Sequence, residues 1–250
     1  MPRSQETSTP RRPRGRPAGV SREAVLDGAL GLLDEVGLDA FSMRTLGGRL
    51  NVDPMTIYRH FPSRTALLDG VVERVFAEMP IAAETSDWRE DAAACLRALR
   101  TTLLAHPEAV PLIAMRPPVT PGAFDATEAL LRALEPAGLS PRETLDAAQI
   151  LARTTVGHVV AQAGPPPGAD RDGRETAHAQ SAATLPADRF PRLARAYAEG
   201  YEIDHDRLFE RSVTAMLDEI GARAATAPAE PDRAEASSAQ VSARPPSGAR

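Results

Sequence analysis

Residues 41–61 read Phe41-Ser42-Met43-Arg44-Thr45-Leu46-Gly47-Gly48-Arg49-Leu50-Asn51-Val52-Asp53-Pro54-Met55-Thr56-Ile57-Tyr58-Arg59-His60-Phe61, and their caps and turn residues decide the fold. Ser42 is a good N-cap for a short helix ending near Leu50, with Met43, Leu46 and Leu50 inward. Asn51 follows where a tight turn between helices needs a positive φ, which Asn tolerates better than most non-glycine residues. Asp53-Pro54 then restarts the chain, an N-cap with proline at the first helical position. That second helix, 54–60, turns Met55, Thr56, Tyr58, Arg59 and His60 outward and leaves Ile57 and Phe61 to pack inward. Two short helices joined this way form the unit that lays its second helix in a DNA major groove. Three small packed helices with an ordinary solvated face would show the same spacing.

The signals continue on both sides. Upstream, Ser21 is an N-cap with Glu23 in the first turn, Val25, Ala29, Leu32, Leu33 and Val36 form one apolar stripe, and Gly37 is placed to end the helix in the left-handed conformation. Downstream, Ser63 caps the next helix, and Arg64 in its first turn is within reach of a phosphate.

Taken together, residues 21–68 resemble the DNA-binding domain of the TetR family. The likeness lies in the capped first helix, Gly37 before Phe41, the Ser42-Met43-Arg44-x-Leu46 start, and Thr56-Ile57-Tyr58-Arg59-His60-Phe61 followed by a basic residue and Ala66-Leu67-Leu68. The resemblance implies that Arg44, Pro54, Met55, Thr56, Arg59 and His60 face base edges, with Ser42 beside them, while Tyr58 and Arg64 grip phosphates. Arg44 can then pair bidentately with guanine, worth about 1–3 kcal/mol of discrimination, whereas the phosphate contacts add affinity blind to sequence. Two departures, Asn51 where the family has glycine and Gly47-Gly48 inside a helix, suggest a looser head.

Composition bounds the rest. A chain of 250 residues with 42% apolar content can bury one sizeable core plus a small satellite domain. The single cysteine, Cys95, excludes an intramolecular disulfide and a cysteine zinc site and suits a reducing cytoplasm. No apolar run approaches the roughly 18 residues of a membrane span. The net charge is −5, but residues 1–20 hold five arginines against Glu6 alone, a local +4.

Residues 1–20 and 221–250 lack periodicity and are expected to be a disordered basic arm and a disordered tail. Pro13-Arg14-Gly15-Arg16-Pro17 resembles the core of an AT-hook, with Arg14 and Arg16 lying along a narrow A·T-rich minor groove. A generic basic tail adding phosphate affinity would look the same. The expected fold class is all-α: a helix-turn-helix DNA-binding domain over 21–67, then a larger helical ligand-binding and dimerisation domain over 68–220. A mobile loop is expected over 163–188.

From about Trp88 to Ile220 the body resembles the C-terminal domain of the tetracycline repressors, through Leu103-Leu104-x-His106, Arg116-Pro117, Val156-Gly157-His158 and Phe190-Pro191. There the family holds a drug–magnesium chelate. This chain instead aligns Pro80, Cys95, Leu99, Leu112 and Met115 with those contacts, and Leu112 cannot bind a hard cation. No metal and no cofactor is therefore expected. The cleft should take a hydrophobic small molecule, with Arg116 and His158 as its polar groups. For Arg116 a structural bridge accounts for the position at least as well, and for His158 a packed or interface residue is the favoured reading.

The resemblance further implies a homodimer, with 144–162 and 205–220 as candidates for a four-helix bundle across the dyad, acting on a palindromic DNA operator. Effector binding would favour a body conformation that misplaces the two heads. Catalysis is poorly supported, since no nucleophile–base pair, glycine-rich phosphate loop or metal-ligand cluster appears. An effector-independent architectural protein on A·T-rich DNA is the alternative.

Overall fold

The computed structural model describes residues 20–80, 85–115, 120–163 and 185–226. These form ten α-helices: α1 (Arg22–Ala40), α2 (Met43–Leu50), α3 (Pro54–His60), α4 (Arg64–Phe76), α5 (Trp88–Ala105), α6 (Val110–Ala114), α7 (Pro121–Leu134), α8 (Pro141–Ala163), α9 (Pro191–Ala198) and α10 (His205–Thr226). Short 3₁₀ turns follow α5 and α7, at Pro107–Ala109 and Glu135–Ala137. No strand occurs among the described residues, so the all-α class holds. The arm with Arg14 and Arg16, most of the 163–188 segment, Arg116 and the chain beyond Thr226 lie outside the described residues.

The head follows its local signals closely. Ser21 accepts from the Ala24 N–H at 3.1 Å, Ser63 from Ala66 at 3.0 Å, and Asp53 from Met55 at 2.8 Å. Asn51 takes the left-handed conformation at φ 51°, ψ 44°. Gly37 departs from the expected helix stop. Its φ of 75° comes with ψ 172°, a region open essentially to glycine, and one further helical turn runs on to Ala40.

Two apolar clusters hold the molecule together. The first joins Val25, Leu33, Leu46, Ile57, Phe61 and Leu67 of the head to Leu103, Val110 and Leu112 of the body, so head and body share one core. The second packs Leu96, Leu130, Leu134, Leu151, Phe209 and Val213 from α5, α7, α8 and α10. Arg97 adds a bidentate pair to Glu210 at 2.9 Å, with Nη1 on Glu90, and ties α5 to α10. Two elements differ from the sequence reading. α9 was not foreseen, and α10 runs six residues past the expected boundary at 220 because Ala222, Ala224 and Ala225 are strong helix formers and no proline intervenes before Pro228.

Candidate functional site

The helix-turn-helix owes its geometry to a few short-range contacts. Ser42 and Thr45 form a reciprocal capping box, with Thr45 N–H on Ser42 Oγ at 3.1 Å and Ser42 N–H on Thr45 Oγ1 at 3.0 Å. At Gly47 an added Cβ would stand 3.0 Å from the Val52 carbonyl oxygen and 3.2 Å from Pro54 Cγ, whereas at Gly48 it would meet nothing within 4 Å. Gly47 is thus where α2 and α3 come together. This corrects the expectation that Gly47-Gly48 loosens the head, because the first glycine permits the tight α2–α3 approach. The readable signal was a glycine four residues ahead of a left-handed Asn.

The residues assigned to DNA divide by their surroundings. Arg44, Met55, Tyr58 and Arg59 are exposed, Met55 by 65%, while Pro54 and Thr56 are half-buried beside them. Ser42 is engaged as the cap. His60 is half-buried, and its Nε2 meets the Val20 carbonyl oxygen at 2.9 Å, holding the chain that leads out to the arginine arm beside the C-terminus of α3. Arg64 donates from Nη2 to the Leu38 carbonyl at 3.0 Å and stacks 5.7 Å from the Phe41 ring. It fastens α4 to the end of α1 at the same time as it faces outward.

Beneath the head, α4 to α8 line a cavity of about 710 Å³ that is open to solvent on one side, where Met115 and Val160 stand exposed. Cys95, Leu99 and Met115 line it, as does the Ala148-Ala152-Val156 stripe of α8. Leu112 does not, being buried in the core shared with the head. His158 does not either. It lies between α8 and α10, Nε2 3.1 Å from Ser212 Oγ and edge-on to Phe209, and burial together with Arg100 lowers its pKa, so it stays neutral. Pro80 is exposed outside the lining. The polar wall comes from Thr127, Gln149 and Arg153, which the sequence reading missed. An exposed arginine on an alanine-rich helix gives no sign of which way that face turns.

The lining does not suit a divalent cation. Burial and the nearby Asp91 raise the Cys95 pKa, which keeps it a thiol, and no carboxylate or imidazole lines the cavity among the described residues.

One helix touches both sites. α4 starts one residue past the Phe61-Pro62-Ser63 turn, and Phe76 at its end and Met79 just beyond line the cavity. Its last turn is pinned on two sides: Arg74 Nε donates to Asp27 of α1 at 2.8 Å, and Glu73 accepts the Gly122 N–H of α7 at 2.8 Å. Where α5 ends, His106 bridges α1 and the residues after α4, Nδ1 2.8 Å from Asp34 and Nε2 2.9 Å from Glu78.

Comparison with known proteins agrees with this architecture. The model for bacterial regulatory proteins of the tetR family matches residues 25–71, and that for the tetracyclin repressor-like C-terminal domain matches 79–224. The class C tetracycline repressor protein of Escherichia coli is 31% identical over 201 residues, which span 79% of this chain and 89% of that one. An HTH-type transcriptional regulator of Saccharopolyspora erythraea is 31% identical over 144 residues, 57% of this chain and 61% of the length of that protein. Among solved structures, the TetR family protein ActR of Streptomyces coelicolor in complex with actinorhodin matches with a TM-score of 0.71 at 27% identity, covering 83% of this chain and 99% of that one. The chain belongs to the TetR family of transcriptional regulators.

Proposed function

We propose that this chain is a homodimeric repressor that leaves a palindromic operator when a hydrophobic small molecule enters the cavity. The observation that carries the reading is α4, which joins the recognition unit at one end to the cavity wall at the other. A molecule pressing on Phe76 and Met79 moves a helix whose N-terminus abuts α3. Differential affinity of that molecule for two positions of α4 then becomes a coupling free energy against DNA. The ActR structure in complex with actinorhodin supports a ligand in such a frame.

The DNA contacts follow from the exposed face of α2 and α3. Arg44 reads a guanine, Met55, Thr56 and Arg59 approach base edges, and Tyr58 and Arg64 reach phosphates. The arm ahead of Val20, with Arg14 and Arg16, extends the footprint into the adjacent minor groove. A second head comes from a partner subunit across α8 and α10, where Leu145 and Ile150 of α8 stand exposed.

Selection from a random duplex pool tests this directly. The expected result is an inverted repeat with half-sites about one helical turn apart. Broad A·T-rich recovery with no repeat would instead support an architectural role.

A further inference from the structure

We propose that the molecule the cavity takes is apolar with a single carboxylate, and that Arg153, with Gln149 beside it, receives that carboxylate. The inference rests on the reading of this cavity as the effector site and deepens it. Arg153 is the one charged residue among the described residues lining the cavity, and no acid accompanies it there. On the neighbouring α5 the arginines are spent on acids and an amide: Arg89 on Asp218, Arg97 on Glu90 and Glu210, Arg100 on Asp206 and Gln162. Arg153 has no hydrogen bond or ion pair among the described residues.

Gln149 stands one turn earlier on α8, an i, i+4 spacing that puts its amide on the same face as the guanidinium. It too has no partner among the described residues. Across the cavity, the Thr127 hydroxyl already donates to the Ala123 carbonyl at 2.8 Å. The cavity therefore offers a guanidinium fork and an amide N–H₂ in an otherwise apolar wall. That is a donor-rich corner for one planar anion. One carboxylate matches the single charge of Arg153 and the planar fork it presents, and a cationic ligand is repelled. Leu96, Leu99, Leu130 and Val156 supply the apolar remainder.

The test uses the full chain without DNA and two fluorescent probes, 11-(dansylamino)undecanoic acid and its methyl ester, which share the apolar body and differ in whether the carboxylate is free or capped by a methyl group. Wild type should bind the acid about tenfold more tightly than the ester, the modest end for a charge-assisted pair at an exposed arginine. Arg153→Gln should remove that preference by weakening the acid about tenfold and leaving the ester within about twofold. Gly157→Leu places a side chain into the lining where a Cβ meets nothing within 4 Å, and should weaken both probes without unfolding the chain. Equal affinity for acid and ester in wild type, no binding of the acid, an acid preference that survives Arg153→Gln, or affinities untouched by Gly157→Leu would each overturn the proposal. The operator-release reading fails separately, when a molecule bound in the cavity leaves DNA affinity unchanged.

Discussion

At the scale of single residues, the head shows how far local chemistry reaches. Ser21, Ser42, Asp53-Pro54 and Ser63 cap helices at the positions their side chains suggest, and Asn51 adopts its left-handed turn, because each depends on atoms within about four residues. Gly47 was misread because its reason lies across the turn, against Val52 and Pro54. The two adjacent glycines now predict opposite outcomes. Gly48→Ala should stabilise the chain by about 0.5–1 kcal/mol in a thermal or denaturant melt, since alanine is the better helix former and nothing is in its way. Gly47→Ala should destabilise it by about 1–3 kcal/mol, because α2 and α3 must separate to admit the methyl group. Arg44→Ala should relax sequence preference, costing about 1–3 kcal/mol on the selected operator and little on scrambled duplex in competition binding. Arg64→Ala should weaken both duplexes alike, and should also lower the melting temperature through the lost bond to the Leu38 carbonyl.

At the scale of elements, the joint between head and body centres on His106. Burial works against its charged form, but the hydrogen bonds to Glu78 and Asp34 outweigh that and raise its pKa above the ordinary histidine value. Folding therefore favours the protonated ring. Its stabilisation is fully present below the unfolded pKa of about 6.5 and is lost as pH rises through the higher folded value. The stability difference between wild type and His106→Gln should accordingly shrink as pH rises from about 6.5 through the higher folded value. A difference that grows with pH would contradict the bridge. Nothing around His106 in the chain signals this bridge, since its partners lie 72 and 28 residues away. The faces of α8 were illegible for a related reason. Leu145, Ala148, Ala152, Val156 and Val159 look like one stripe, yet Leu145 is exposed, the next three line the cavity and Val159 is in the core. An alanine-rich helix offers too little contrast to tell which side its neighbours cover.

At the scale of the whole molecule, α4 connects the helix-turn-helix to a cavity of about 710 Å³, within a core that head and body share. A shared core transmits displacement because packed side chains have few alternative arrangements. The fold class and the domain order were legible because the helix-turn-helix and its caps are local signals. The cavity's donors were not, because they depend on how α7 and α8 turn against each other. The most direct measurement is fluorescence anisotropy of the selected operator, titrated with this chain in the absence and presence of a saturating cavity ligand found by thermal shift. Ligand should weaken operator binding about 10- to 100-fold, and operator should weaken ligand binding by the same factor. Unchanged operator affinity with the cavity filled would contradict this coupling.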